Sequence, residues 1–196
     1  MQKIRLAALC AAIALAAPAA AQQHAHADHG DHHSMTAPII AALSGDIEQV
    51  EQKLVALAEA IPEDRWGWRP AEGVRSIGEV FMHVAADNYY IPVLAGAPAP
   101  AETGVTREYQ SAVAYESRPM NKAQTIAALR ASFAHVQTVL GEVDHEGLMA
   151  NHDFFGNQMS GTQVWVLAAT HLHEHLGQLI AYARSNGITP PWSRGG

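Results

Sequence analysis

The sequence contains a single cysteine, Cys10, and no run of basic residues. One cysteine excludes an intramolecular disulfide, and its place in an apolar N-terminal stretch leaves the rest of the chain without a thiolate ligand or nucleophile. Lysine and arginine number 12 against 19 acidic residues, which gives a formal net charge of −7. Nucleic-acid binding normally requires a clustered basic face. We therefore expect no nucleic-acid partner.

Long hydrophobic runs are scarce as well. The longest, residues 6–17, is shorter than the roughly 20 apolar residues that a membrane-spanning helix needs. It follows Lys3 and Arg5 and leads to small residues that end at Ala21, which is the pattern of a secretory signal peptide. We predict a signal peptide over residues 1–21, no membrane span after its cleavage, and a periplasmic or secreted protein. A retained amphipathic or anchor helix is the alternative.

Residues 22–35 carry five histidines among small and polar residues: His24, His26, His29, His32 and His33. This composition predicts a disordered His-rich arm. Imidazoles bind zinc, copper and nickel, so the arm can collect such ions weakly. A merely solvated arm fits the same composition. The remainder, residues 36–196, is predicted to form one folded domain.

Within that domain, apolar residues recur at helical spacing, and no segment alternates apolar and polar residues over the length of a strand. The pattern predicts an all-α fold with almost no sheet. Four helices are expected over about Pro38–Ala60, Ser76–Leu94, Lys122–Val143 and Gly161–Ser185. A long connector, Gly96 to Met120, separates the second helix from the third, and its length can leave those two helices parallel.

Local signals support the starts of two helices. Ser76 and Glu79 have the spacing of a capping box. Asn121 is a suitable N-cap for the third helix. Before the second helix, Trp66 and Trp68 are expected to be hydrophobic anchors of the turn rather than a surface for substrate.

Two histidines of the fourth helix are candidates for a metal site. His171 and His175 lie one turn apart and centrally on the apolar face, whereas His173 lies on the opposite side. Both imidazoles can turn to one point between helices, as metal sites in bundles require. Buried histidines with backbone hydrogen bonds are the alternative. His83, at the edge of the apolar stripe of the second helix, is the candidate third ligand.

The segment from Arg65 to His83, with its tryptophans and Arg-Pro pair, together with the distal His171-x-x-x-His175-x-Gly-Gln178, resembles the DinB superfamily. The resemblance covers about residues 36–182. It implies a four-helix bundle of up-down-down-up order that binds one divalent ion, zinc or nickel. By motif, the ligands in this chain are His83, His171 and His175.

Three histidine ligands leave a coordination position open, which is typical of catalytic metal sites. We predict a metal-dependent transferase or hydrolase that acts on a small molecule, and the resemblance implies thiol-dependent transfer. Asp87, one turn after His83, is a candidate proton acceptor or hydrogen-bond partner, and Gln178 is a candidate for orienting a ligand. One alternative is a non-enzymatic metal-binding or stress-related module, to which the His-rich arm supplies ions. Another is a structural bundle that the bound ion only stiffens. A homodimer is compatible with the composition.

Overall fold

The computed structural model describes residues 31–193, with side chains from residue 35 onward. The predicted signal peptide and most of the predicted His-rich arm lie outside this range. The described residues form, in chain order, α1 (Asp31–Ala60), α2 (Ile77–Leu94), α3 (Tyr109–Glu116), α4 (Lys122–Gly141), α5 (His145–Met149), β1 (Asn151–Phe154), β2 (Asn157–Ser160) and α6 (Gly161–Ser185). The prediction of a mostly helical chain is therefore confirmed. Among these residues, no helix has both the length and the apolarity to cross a membrane.

Four long helices supply most of the core. Helix α1 packs against α4 and α6, and α2 packs against the same two helices. The apolar positions recur every three or four residues, so each helix presents one apolar stripe to its neighbours. The largest fully buried side chains include Leu54, Phe81, Phe133, Trp165 and Leu179. Helices α2 and α6 are thereby held side by side.

Capping boxes fix the starts of three of these helices. The Oγ of Ser76 accepts from the backbone N–H of Glu79 at 3.3 Å, and the Glu79 carboxylate accepts from the N–H of Ser76 at 2.6 Å. Asn121 caps α4 and Ser160 caps α6, each with a reciprocal glutamine three residues later. The predicted box at Ser76 and the predicted cap at Asn121 are confirmed. Because side chain and backbone satisfy each other's free groups, the register of α2 and α6 is set locally.

The tryptophan pair before α2 fixes the turn against the core. Trp66 stacks on Phe81 with ring centroids 5.2 Å apart, and its indole N–H donates to the carbonyl oxygen of Ile61 at 3.2 Å. Trp68 meets Tyr182 of α6 edge-on at 5.3 Å. Both side chains are the anchors that the sequence predicted.

Some predicted boundaries are wrong. Helix α1 begins at Asp31 instead of Pro38, so the last residues assigned to the arm are helical. Pro38 instead lies inside the helix, about two turns from its start, where it lacks the N–H that would donate to the carbonyl oxygen four residues earlier. Because proline is more common in the first turn of a helix, the sequence pattern placed the boundary there. Helix α4 ends at Gly141 instead of Val143. The long connector contains α3, whose eight residues are too few to show a clear period.

The described residues contain little strand, as expected, but they include one short hairpin over residues 151–160 that the sequence pattern did not predict. Strands β1 and β2 form an antiparallel hairpin in which Asn151 pairs with Ser160 and Phe154 with Asn157. The two turn residues, Phe155 and Gly156, have φ angles of 53° and 83°. Two consecutive left-handed residues suit the twist of a tight hairpin. Four-residue strands are too short to show alternation, which is why the sequence pattern missed them.

Candidate metal centre

The packing of α2 against α6 brings the three predicted histidines together. One ligand nitrogen from each of His83, His171 and His175 lies within 4.8 Å of the others. The ring centroid of His83 is 5.2 Å from that of His171 and 4.6 Å from that of His175. The ring centroids of His171 and His175 are 4.4 Å apart. These distances are compatible with three imidazoles around one cation, at about 2.1 Å per bond.

The two histidines of α6 occupy the edge of its buried face, not the centre as predicted. His171 and His175 are partly exposed, while Leu172 and Leu176 beside them are buried in the core. Because both α1 and α2 pack against the helix, its contact face is rotated from the one that the apolar residues alone suggest. One side of the cluster is therefore accessible to a small molecule.

Glu116, at the end of α3, holds the ring of His83. Its Oε2 lies 3.0 Å from Nδ1 of His83, and an ionised carboxylate can only accept, so this nitrogen carries the proton. Arg75 donates to the same carboxylate through Nε at 2.5 Å and through Nη2 at 3.2 Å. Burial raises the pKa of Glu116, but the hydrogen bonds from His83 and Arg75 outweigh it and lower the pKa. The result is an anionic carboxylate that leaves Nε2 of His83 free to bind a cation.

Gln178 orients His175 in the same way. The amide oxygen of Gln178 accepts from Nδ1 of His175 at 2.8 Å, and its amide nitrogen donates to the hydroxyl of Tyr182 at 3.0 Å. Burial lowers the pKa of His175 to about 4, and the neighbouring imidazoles act in the same direction. The ring is therefore neutral near pH 7, with its lone pair on Nε2.

Asp87 adds an anionic oxygen to the cluster. Its Oδ2 lies 3.4 Å from Nε2 of His83 and 3.2 Å from Nε2 of His171. The side chain is largely buried. As predicted, a helical spacing of four residues brings Asp87 beside His83.

The chemistry of this donor set favours a cation. Nε2 of His171 and Nε2 of His175 are only 3.0 Å apart. Lone pairs on His83 and His175 and the charge of Asp87 all face the same small volume. Such an arrangement is repulsive unless a shared proton or a metal ion lies between the groups. The residues present therefore fit a divalent ion.

The sequence pattern pointed to the three histidines, Asp87 and Gln178, but not to Glu116 or Arg75. Glu116 is 33 residues from His83 along the chain. Arg75 directly precedes Ser76 of the capping box, which could have drawn attention to it. No sequence pattern, however, links Arg75 or Glu116 to the three histidines. A cavity of about 630 Å³ between the starts of α2 and α4 shares Glu116 with the centre but touches none of the three histidines.

The hydrogen bond from His83 to Glu116 leads to a prediction. Glu116→Gln is expected to lower the affinity for a divalent ion by about 10- to 100-fold, because a neutral amide makes His83 a weaker donor and releases Arg75. A competition titration against a chromogenic chelator measures the change. Glu102→Gln removes the same charge from an exposed position of the connector and should leave the affinity unchanged. Equal affinities for both variants would show that Glu116 does not act on the centre.

The solved structures that resemble the chain include three bacterial proteins. A DinB-like protein from Bacillus cereus has a TM-score of 0.61 at 19% identity, over 78% of this chain and 93% of that one. A DinB-like protein from Bacillus subtilis has a TM-score of 0.58 at 20% identity, over 76% and 93%. A proposed member of the DinB family from Exiguobacterium sibiricum has a TM-score of 0.56 at 23% identity, over 76% and 92%. At these identities the similarity shows a common fold.

A sequence profile described as the DinB superfamily matches residues 46–179. This range includes α2, most of α6 and all three histidines. None of the curated proteins matches the chain. Since the profile spans most of the chain and the fold agrees with it, the chain belongs to the DinB superfamily.

Proposed function

We propose that the protein holds one divalent ion, zinc or nickel, with His83, His171 and His175 and uses it to transfer or hydrolyse a small molecule. The observation that carries the proposal is that one ring nitrogen from each of the three histidines lies within 4.8 Å of the other two. For two of these rings, a hydrogen bond from Nδ1 fixes the tautomer that a metal requires. A bound ion would polarise a substrate oxygen or stabilise a thiolate.

The chain's own groups supply the remaining parts of such a reaction. Asp87 lies beside His83 and His171, where its carboxylate can accept a proton from a bound molecule. Gln178 and Glu116 hold two ligand rings in place through their Nδ1 atoms. Three histidines without a fourth protein ligand leave room for substrate, unlike the closed set of a structural zinc site.

The proposal includes an up-down-down-up bundle of α1, α2, α4 and α6. It is supported by the packing of α2 against α4, the two helices that residues 95–121 join. A connector of that length can lead the chain from the end of α2 back to the level at which α2 begins. Helix α4 then starts there and runs parallel to α2.

Export to the periplasm or beyond is also a proposal, and it depends on the N-terminal segment alone. The basic start, the short apolar run and the small residues up to Ala21 support it. N-terminal sequencing of the protein purified from the periplasm should begin at Gln22. The homodimer remains a prediction, which size-exclusion chromatography of the purified protein would test.

A titration with zinc and nickel tests the proposal. We expect one tightly bound ion per chain, and the same number in a variant whose arm histidines are all replaced by alanine: His24, His26, His29, His32 and His33. Turnover of a panel of small thiols and esters should then require the ion. If the wild type instead binds several ions and the arm variant loses most of them, the protein is the metal-collecting module that the His-rich arm suggests.

A further inference from the structure

An aromatic cluster lies about two turns of α2 beyond His83. The rings of Tyr90 in α2, Tyr109 in α3 and Phe155 at the hairpin turn have centroids 5.9, 6.3 and 6.2 Å apart in pairs. Tyr90 is buried, whereas Tyr109 is 46% and Phe155 61% exposed. Three segments that are distant in sequence thus bring their rings to one place and leave two rings open to solvent.

Helix α2 links this cluster to the centre. His83, Asp87 and Tyr90 follow one another at spacings of four and three residues, so they lie along one face of the helix. At 1.5 Å per residue, Tyr90 lies roughly 10 Å from His83 along the helix axis. Burial, followed by the charge of Asp87, raises the pKa of Tyr90. A small molecule is long enough to reach both sites.

The backbone at Phe155 is unusual. Within residues 31–193 it is the one non-glycine residue with a positive φ, 53°. A left-handed conformation costs free energy for a residue with a Cβ, and asparagine or glycine is the favoured residue at this hairpin position. Burial does not offset that cost, because the ring is mostly exposed. Strain of this kind concentrates where a side chain is needed for function.

The hairpin is also held firmly. Nη1 of Arg107 donates to the carbonyl oxygens of Val93 and Leu94, both at 3.3 Å, and its Nη2 donates to that of Asp153 at 3.0 Å. The hydroxyl of Tyr90 donates to the carbonyl oxygen of Arg107 at 3.2 Å. The end of α2 and strand β1 therefore share one anchor, and the position of Phe155 is fixed before any ligand binds.

We propose that Tyr109 and Phe155 bind a planar apolar group of the substrate while the other end of the same molecule, a thiolate, reaches the metal centre. This inference rests on the proposed function of the three histidines. Aromatic rings offer an apolar face for offset or edge-to-face stacking on an aryl group. The separation along α2 selects a substrate whose aryl group and sulfur are several bonds apart.

Two thiols test the proposal on the full chain loaded with cobalt(II), whose visible absorption reports a thiolate on the ion. We expect 3-phenylpropane-1-thiol to bind the wild type about tenfold more tightly than propane-1-thiol. In Phe155→Asn the two thiols should bind with equal affinity. Asparagine accepts the left-handed conformation, so the thermal midpoint of this variant should be unchanged or higher.

Val166→Ala is the matched control. Val166 is 46% exposed on α6, so this variant loses an exposed apolar side chain that is not part of the aromatic cluster and should keep the tenfold preference. Cobalt uptake with equal affinities for both thiols in the wild type would overturn this inference alone. No cobalt uptake would overturn it together with the proposed function. A wild-type dimer that Phe155→Asn converts to a monomer, with the thiol preference retained, would show that the rings bind a second copy of the chain instead.

Discussion

His171→Ala is expected to weaken binding of the divalent ion by about 10²- to 10³-fold. Four-ligand zinc sites in small domains contribute about 10–16 kcal/mol in total, so one ligand is worth roughly 3–4 kcal/mol. At about 1.4 kcal/mol for each tenfold change, that corresponds to two to three orders of magnitude. His171 is also the ring that lies closest to His175, with their Nε2 atoms 3.0 Å apart. Competition with a chromogenic chelator, followed by elemental analysis, measures the loss.

His173→Ala is the control for this experiment, since it removes the same side chain from the same helix. His173 points away from the cluster, where its Nε2 lies 2.9 Å from Oδ2 of Asp46 in α1. An exposed pair of this kind is worth about 1 kcal/mol or less. We expect a small loss of stability and unchanged metal affinity. Equal losses of affinity in both variants would mean that the ion lies elsewhere or that the helix itself is disturbed.

The same pair of variants separates binding from stabilisation. An ion present at 100 times its dissociation constant adds about 2.7 kcal/mol to the apparent free energy of unfolding. The wild type and His173→Ala should therefore unfold at a lower temperature after chelation. His171→Ala should unfold at nearly the same temperature with and without chelator. If activity survives in the chelated wild type, the ion serves only to stiffen the fold.

The parts of the centre that local signals determine could be predicted from the sequence. The spacing of His171 and His175 places them on one side of a helix whatever the surroundings are. Helix α2 begins where Ser76 and Glu79 satisfy each other's backbone groups, and this sets the position of His83 about two turns after Ser76. The resemblance to the DinB superfamily then joined two segments that no periodicity connects.

The parts of the centre that depend on packing could not be predicted from the sequence. Whether His171 lies at the centre or at the edge of the buried surface depends on how α1 and α2 pack against α6. Glu116 reaches His83 from an eight-residue helix in the connector, and its spacing from Arg75 or His83 follows no repeat. The hairpin carries Phe155 where asparagine is favoured, so the usual turn signal is missing. Contacts between segments that are distant in sequence determine each of these features.

Gly161→Ala is expected to destabilise the fold by about 3 kcal/mol, although alanine normally favours a helix. Gly161 is buried at the first position of α6. A Cβ there would lie 2.0 Å from the carbonyl oxygen of Gly147 and 3.0 Å from its carbonyl carbon. Both are backbone atoms, so no side-chain rotation relieves the contact, and overpacking of this kind costs about 1–3 kcal/mol or more.

The close approach is fixed by hydrogen bonds on both sides. The N–H of Gly161 donates to the carbonyl oxygen of Ala150 at 2.9 Å, and the hydroxyl of Thr162 donates to that of Leu148 at 3.1 Å. To admit a methyl group, α5 must separate from the start of α6, and these bonds must lengthen or break. Urea denaturation should therefore show a lower midpoint with an unchanged slope.

Gly177→Ala is the matched substitution, because it lies in the same helix with nothing within 4 Å of the added Cβ. There the helix propensity of alanine acts alone and should stabilise the fold by up to about 1 kcal/mol. The two variants should thus shift the urea midpoint in opposite directions. If Gly161→Ala is instead as stable as Gly177→Ala, α5 does not press on the start of α6. The direction in which α6 carries His171 and His175 towards His83 must then come from its packing on α1 and α2 alone.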